Sequence, residues 1–177
     1  MKEEHHAVNL MLKIMDGMCM KIESGKEIKH EHLENVVEFV KVFVDKCHHT
    51  KEEEYLFPIM RRANVPGSTE IIDSLLEEHE HGRRSVDMIA GAVSVNMDSE
   101  ALSTIVKSSR DYIELLTQHI NKEDNILFPL ADKHLAEKVQ ENLLKSFEIV
   151  EIEKIGEGKH EEFHKMLHNL KEIYVMS

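Results

Sequence analysis

The chain has 177 residues, of which 34 are acidic and 22 basic, so its formal net charge is −12 with histidine counted as neutral. A chain of this length can form one domain with a sizeable core. Its acidic surface would repel phosphate backbones, so we do not expect nucleic acid as a partner. Seven Gly, three Pro and few aromatic residues favour long helices over sheet. The composition therefore predicts an all-α protein.

The two cysteines, Cys19 and Cys47, fall among apolar residues, which is typical of buried thiols rather than of a disulfide framework. That usage fits a reducing cytoplasm. The N-terminus starts in a polar helical pattern without a signal peptide, and no apolar run approaches membrane-spanning length. We therefore expect a cytoplasmic protein with no membrane partner. The sequence leaves open whether the chain forms a homo-oligomer.

Apolar residues at helical spacing predict four long helices and a C-terminal helical segment. The expected helices cover 3–22, 27–62, 68–95 and 100–130, and the last segment begins near 135. Gly156 and Gly158 mark places where this segment can break or bend. The short connections imply antiparallel neighbours. The prediction is an up-down-up-down four-helix bundle made of two αα-hairpin repeats, with an additional C-terminal helix.

The clearest turn, Asn64-Val65-Pro66-Gly67, divides the chain into two halves. A second connection with a capping residue is expected at Asn96-Met97-Asp98-Ser99. We expect a single domain over 1–177, with a first hairpin at 1–64, a second at 68–131 and a C-terminal segment at 135–177.

One phrase occurs in both halves. His-x-x-Lys-Glu-x-x-x-Leu-Phe-Pro begins at His48 and again at His119, an offset of 71 residues. A shorter pair precedes it, since Glu3-Glu4-His5 returns as Glu77-Glu78-His79. Each half thus combines the same metal-ligand side chains, and two half-sites that face each other predict a dinuclear centre.

The repeated phrase places ionisable side chains on the core face of a helix. His48 and Glu52 are four residues apart on one face, as are His119 and Glu123. Burying them is costly unless they are paired or bound to a cation. A hydrogen-bonded His–Glu pair is the alternative for one copy, whereas two copies favour a metal ion. Imidazole and carboxylate together suit iron, manganese or zinc.

Two further histidines share apolar helix faces with these residues. His5 lies on the line of Val8 and Leu12, and His79 lies on that of Ile72 and Leu75. Four helices are therefore expected to bring His, or His and Glu, to one interior level. The residues next to these candidates in the sequence are predicted to lie on the surface or around the ligands. They are His49, Glu53, Glu54 and Asp124.

His160 is the remaining candidate. It follows the apolar line of the last helix with Phe163 and Leu167, so it could reach the site as a fifth histidine. The alternative is an exposed stripe, because His160, His164 and His168 are spaced four apart.

These residues resemble the hemerythrin-like (HHE cation-binding) family over about residues 1–131. The matching features are Glu4-His5-x-x-Val8, His48-x-x-x-Glu52 and His119-x-x-x-Glu123, each of the last two followed by Leu-Phe-Pro, and Glu78-His79-Glu80-x-Gly82-Arg83. The resemblance implies a four-helix bundle with a non-haem di-iron centre. Its ligands would be His5, His48, Glu52, His79, His119 and Glu123, with Glu52 and Glu123 bridging.

One position departs from the family pattern. Oxygen-carrying hemerythrins place two histidines four apart on the third helix, whereas Leu75 and Arg83 flank His79 at that spacing here. His160, a water molecule or an open position would take the place of the missing histidine. Simple reversible oxygen carriage is therefore in question.

The leading functional hypothesis is a di-iron protein that binds a small ligand. Dioxygen binding, storage or sensing fits, as do nitric oxide and peroxide handling, and the sequence leaves open whether turnover follows binding. A ferritin-like di-iron enzyme or iron store would instead use Glu-x-x-His pairs, which occur at Glu78/His81, Glu157/His160 and Glu161/His164. A third alternative is an iron-sensing module whose folding depends on the metal.

Overall fold

A computed structural model describes residues 1–95, 97–156 and 158–175. Within these ranges the chain forms helices joined by short turns, and no β-strand is present. The all-α prediction is therefore confirmed. Asn96 of the expected connection and Glu157 of one Glu-x-x-His pair lie outside the described residues.

The described residues form eight α-helices and three π-helical segments. In chain order they are α1 (Lys2–Glu23), α2 (His30–Phe39), π1 (Val40–His49), π2 (Lys51–Leu56), α3 (Phe57–Arg62), α4 (Ser68–Val93), α5 (Ser99–Lys122), π3 (Glu123–Leu127), α6 (Phe128–His134), α7 (Glu137–Lys154) and α8 (Lys159–Tyr174). The residues that join α2 to α3 and α5 to α6 keep helical backbone angles. The predicted second and fourth helices are therefore two continuous rods.

The π-helical segments lie on the repeated phrase. In a π-helix the backbone hydrogen bonds join residues five positions apart, so each turn is wider than an α-helical turn. Successive side chains therefore point in directions that differ from those of an α-helix. π1 and π2 cover most of residues 40–56, whereas π3 covers only the five residues Glu123–Leu127. Helical periodicity of 3.6 residues could not predict these segments.

The predicted breaks agree with the structure. Asn64 adopts a left-handed conformation with φ of 49° between α3 and α4, which an asparagine tolerates in a turn. Asp98 caps α5, since its carboxylate accepts hydrogen bonds from the amides of Glu100 and Ala101. Gly156 has a φ of 85° and separates α7 from α8, so the C-terminal segment consists of two helices.

The two prolines of the repeated phrase lie near the ends of the two rods. Pro58 and Pro129 are each in the first turn of the short helix that ends a rod. The missing N–H of proline costs little there because the first turn of a helix leaves its N–H groups without partners.

Two apolar clusters lie on either side of a polar layer. The first contains the inner faces of α1, α2 and α8 with parts of α4 and α5. The second contains Leu56 and Phe57 of the first rod, Leu127 and Phe128 of the second, and Leu75 of α4. α1 packs on α5 and α8, α4 packs on α5, and α7 packs on π1 and π2. No helix within the described ranges is both long and apolar enough to cross a membrane.

Candidate metal centre

The polar layer brings together the six side chains that the repeats single out. Four separate elements supply the histidines: His5 from α1, His48 from π1, His79 from α4 and His119 from α5. All four are at most 2% exposed, and the side chains of Glu52 and Glu123 have no exposed surface. The sequence prediction that these residues share one interior level therefore agrees with the structure.

The four histidines form two pairs. His5 Nε2 lies 3.0 Å from His48 Nε2, and His79 Nε2 lies 3.1 Å from His119 Nε2. In each ring the other nitrogen, Nδ1, faces a carboxylate. In a neutral ring the proton then lies on Nδ1, and the lone pairs of the two Nε2 atoms point at each other. Two nitrogens bound at about 2.1 Å to one ion at a right angle would be about 3.0 Å apart.

Each buried carboxylate spans both histidine pairs. Glu123 places Oε2 3.2 Å from His5 Nε2 and Oε1 3.0 Å from His119 Nε2. Glu52 places Oε1 3.7 Å from His48 Nε2 and Oε2 3.4 Å from His79 Nε2. None of these four oxygens makes a hydrogen bond of acceptable geometry with the described residues. Buried carboxylate oxygens without such partners are costly, and a bound cation would satisfy them.

An outer layer of carboxylates holds the four rings. The contacts from Nδ1 are 2.9 Å for His5 to Asp124, 2.6 Å for His48 to Glu4, 2.7 Å for His79 to Glu53, and 2.9 Å for His119 to Glu78. A carboxylate at Nδ1 fixes the tautomer that leaves Nε2 free to bind a metal, and it makes the ring a stronger donor. Glu53 and Asp124 therefore lie beside the histidines that the sequence predicts as ligands.

Lysines of the repeated phrase hold two of these carboxylates. Lys51 Nζ lies 2.6 Å from Glu4 Oε1, and Lys122 makes the corresponding contact with Glu78. The sequence alone did not predict a role for Lys51, Lys122 or Glu4. Their presence in both copies of the repeats was the signal that could have identified them.

The charges of this layer shift its pKa values. Burial alone would raise the pKa of Glu4, but the hydrogen bond with His48 and the charges of His48 and Lys51 outweigh burial and hold it far below its usual value. Contacts with His119 and Lys122 likewise outweigh burial and lower the pKa of Glu78 to about 2. These carboxylates therefore stay ionised at neutral pH.

The two inner carboxylates differ in pKa. Burial and the charge of Glu123 raise the pKa of Glu52 well above its usual value. Burial would do the same to Glu123, but the neighbouring histidines, led by His119, hold its pKa well below its usual range. The two carboxylates cannot both remain charged in this interior without additional positive charge.

His49 lies beside the four histidines. Its side chain is 4% exposed, and its ring stacks on His79 with a centroid distance of 3.8 Å. Burial lowers the pKa of His49 well below its usual value, so the ring is neutral at pH 7. Of the two positions that the sequence allowed for His49, on the surface or around the predicted ligands, the structure shows the second, with the ring buried beside His79.

The other candidates lie apart from this layer. His160 packs against Phe43 with a ring distance of 5.2 Å, and its Nε2 has no hydrogen-bond partner among the described residues. His81 and Glu54 are exposed. Because Glu78 contacts His119 while His81 faces solvent, this Glu-x-x-His pair does not converge on one point.

Three overlapping groups of buried side chains among the described residues bring potential metal-binding atoms close together. They are His5, His48 and Glu123; Glu52, His79, His119 and Glu123; and His49, His79 and His119. Within each group the ligand atoms lie within 4.8 Å of one another. Imidazole with carboxylate suits iron, manganese and zinc, so the residues present fit a non-haem iron centre.

The family model of the hemerythrin HHE cation binding domain matches residues 1–131. An uncharacterised protein of Mycobacterium tuberculosis is 23% identical over 157 residues, which are 88% of this chain and 61% of that protein. The iron-sulfur cluster repair protein YtfE of Salmonella newport is 32% identical over 88 residues, 48% of this chain and 40% of that protein. The matches thus span less than two thirds of the length of these relatives. No solved structure matches the chain.

Proposed function

The chain belongs to the hemerythrin HHE cation-binding family, and from this premise we propose that it holds two non-haem iron ions and binds a small ligand such as dioxygen. The observation that carries the proposal is that each of two buried carboxylates reaches both histidine pairs. A single ion would need only one of these pairs, whereas two ions use both pairs and both carboxylates. Zinc or manganese would fit the same donors.

The proposed ligands follow from the contacts. His5 and His48 would hold one ion, and His79 and His119 the other. Glu52 and Glu123 would each give one oxygen to each ion. We include the architecture in the proposal, with the rods arranged as an up-down-up-down bundle and the C-terminal helices closing one end, all within one domain.

A ferrous pair, when bound, supplies the electrons that a diatomic or peroxidic ligand can accept. The chain's own residues orient the donors and exclude water. Phe128 stacks against His5 with a ring distance of 5.5 Å, and Phe57 stacks against His79 at 6.0 Å. Both belong to the repeated Leu-Phe-Pro and form one apolar wall of the layer. The other apolar cluster covers the opposite side, so solvent reaches the ligands poorly.

The test is ligand binding by protein loaded with ferrous iron under anaerobic conditions. We expect dioxygen or nitric oxide to change the visible absorption of the wild-type protein, and to leave the spectra of Glu52→Gln and Glu123→Gln unchanged. A dioxygen spectrum that returns to its start when the gas is removed would indicate binding or storage. A protein with two irons that responds to none of dioxygen, nitric oxide and peroxide would refute small-ligand binding.

The similarity to the iron-sulfur cluster repair protein favours a second candidate, in which the same centre supplies iron. In that case iron would be cargo rather than a resident group. Loaded protein would then transfer iron to an apo iron–sulfur protein faster than free ferrous iron at equal concentration does. Retention of both irons in the presence of the acceptor would count against this candidate.

A further inference from the structure

A cavity of about 200 Å³ lies between π1 and α4 in contact with α5. Two buried residues, His49 and Tyr112, form its inner end. Lys41 and Asp87 line its mouth, where their side chains are 43% and 72% exposed. Because the ring of His49 stacks on that of His79, His49 is the side chain that lies between this cavity and the polar layer.

The second half of the chain fills the equivalent place with apolar side chains. The repeat Glu3-Glu4-His5 returns after 74 residues and the longer phrase after 71, and these offsets relate the lining of the cavity to its counterparts. Gly82, Val86, Asp45 and His49 correspond to the buried residues Val8, Leu12, Leu116 and Ile120. An apolar filling is therefore compatible with this fold. Leaving the place open costs packing free energy, and a role in ligand access accounts for that cost.

The C-terminal helices border the two places differently. Among the described residues, all that line the cavity belong to π1, α4 and α5. On the corresponding face of the second half, Tyr174 at the end of α8 borders the groove beside Leu12 and Lys13. The cavity thus opens on a face of the first half that neither α7 nor α8 lines.

Arg83 connects the helices on either side of this cavity. Its Nε donates to Asp45 at 2.8 Å, and its Nη2 donates to Glu53 at 2.7 Å. The same two carboxylates contact Nδ1 of the stacked rings, Asp45 that of His49 and Glu53 that of His79. Arg83 therefore fastens α4 to π1 and π2 beside these rings. Its side chain is 30% exposed, so solvent weakens the ion pairs and lets them open.

Building on the proposed function, we propose that this cavity is the entrance through which the small ligand reaches the layer, and that Arg83 is its gate. The entrance is closed while Arg83 pairs with Asp45 and Glu53. Glu80 is 62% exposed and contacts Nη1 of Arg83 at 2.6 Å, so it offers a partner when the guanidinium turns toward solvent. The ligand then passes beside His49. A volume equal to that of several water molecules admits dioxygen, nitric oxide or hydrogen peroxide.

The experiment compares four proteins: wild type, Arg83→Met, Val86→Phe and Arg110→Met. Arg83→Met keeps an unbranched stem and removes the ion pairs, whereas Val86→Phe narrows the cavity. Arg110→Met is the matched control, since Arg110 is 38% exposed and also contacts two carboxylates, both on α1.

Two readouts are measured for each protein. In the metal-free chain, mass spectrometry follows deuterium exchange at the carbon between the two ring nitrogens of each histidine. It is measured at the alkaline plateau of the pH profile, where the rate reports solvent access. In the chain loaded anaerobically with ferrous iron, stopped-flow absorption gives the association and dissociation rates of nitric oxide.

Arg83→Met should speed exchange at His49 and His79 and leave His5 unchanged. It should also raise both nitric oxide rates by the same factor, about fivefold or more, because a gate changes the barrier and not the bound state. Val86→Phe should lower both rates by a common factor, and it carries the test if Arg83→Met does not fold. Arg110→Met should match the wild type.

Wild-type exchange at His49 and His79 in Arg83→Met would overturn the gate, and wild-type nitric oxide rates in Val86→Phe would overturn the entrance. A change in only one of the two rates in Arg83→Met would also overturn the gate, because Arg83 would then act on the bound state. A wild type that binds no small ligand would refute the proposed function. The exchange in the metal-free chain would still decide whether Arg83 closes the layer, so the two failures are distinguishable.

Discussion

The two halves of the chain build the same half-site with different surroundings. In each half a lysine forms an ion pair with a glutamate, and that glutamate contacts the histidine at the start of the repeated phrase. The residues are Lys51, Glu4 and His48 in the first half, and Lys122, Glu78 and His119 in the second. In each half the acid that follows the inner glutamate holds a histidine of the opposite half. The shared part of the layer is therefore a pseudo-twofold arrangement of donors.

The first half carries features that the second lacks. Two π segments run through its phrase where the second half has one short segment, and Asp45 and His49 stand where the second half has Leu116 and Ile120. α7 also packs on the first half, where Lys51 contacts Glu151 in addition to Glu4. Duplication thus explains the shared histidines and glutamates, whereas the differences make the surroundings of the two histidine pairs unlike.

The largest expected effect tests the shared part. Glu52→Gln and Glu123→Gln each remove the charge that spans both histidine pairs. We expect both variants to weaken iron binding by about 100-fold or more, because losing an outer-layer group alone typically costs 10- to 100-fold. Iron content after gel filtration checks this, with Glu54→Gln as an exposed control that keeps two irons. Full loading of either variant would contradict the bridging role.

The next largest effect compares how much the corresponding lysines of the two halves contribute to the free energy of unfolding. Lys51 is 1% exposed and paired with two carboxylates, whereas the Lys122 side chain is 35% exposed. We expect Lys51→Met to lower the free energy of unfolding of the metal-free protein by about 3 kcal/mol, because it leaves Glu4 charged and buried. Lys122→Met should cost about 1 kcal/mol or less. Urea denaturation measures both, and equal losses would show that burial of Lys51 does not matter.

A smaller effect tests the wall of the layer. Phe57 and Phe128 stack on His79 and His5, respectively. Phe57→Leu and Phe128→Leu should each destabilise the protein by roughly 1 kcal/mol and speed oxidation of the ferrous centre by admitting water. Stopped-flow absorption with dioxygen would follow the oxidation. Unchanged rates in both variants would mean that other residues exclude the solvent.

The smallest effect concerns the contact of the first half with α8. Burial and the charge of Lys29 lower the pKa of His32, whose Nδ1 lies 2.8 Å from the Tyr174 hydroxyl. A lowered folded pKa means that the unfolded chain binds the proton more readily, so this contribution to stability is complete above about pH 6.5 and declines below it.

His32→Phe removes that contribution. Its unfolding free energy, subtracted from that of the wild type, should give a difference that shrinks as the pH falls from 7.5 to 5. Thermal unfolding at several pH values measures it, with His6→Phe as a control at an exposed histidine. A difference that grows toward acid would reverse the assigned direction of the shift.

Much of this arrangement could be predicted from the sequence because repeats and apolar periodicity encode it. The offset of 71 identified His48, Glu52, His119 and Glu123, and the turn at Asn64 separated the halves. The helical class and most element boundaries agree with the structure.

The remaining features of the site depend on three-dimensional geometry that sequence periodicity does not encode. Periodicity left open whether His49 lies on the surface or around the predicted ligands, and the buried position beside His79 became evident only from the structure. The carboxylates at Nδ1 belong to other helices, so their contacts appear only once the rods are packed. Glu4 and Glu78 nevertheless occupy equivalent positions in the two copies of the short repeat, each directly before a histidine. This repetition could have identified them as part of the site.

We propose that this layer holds two ions, and the decisive experiment is an anaerobic titration of ferrous iron into the metal-free chain, followed by calorimetry and by iron content after desalting. We expect saturation at two equivalents per chain. Saturation at one equivalent, or no saturable binding, would contradict it.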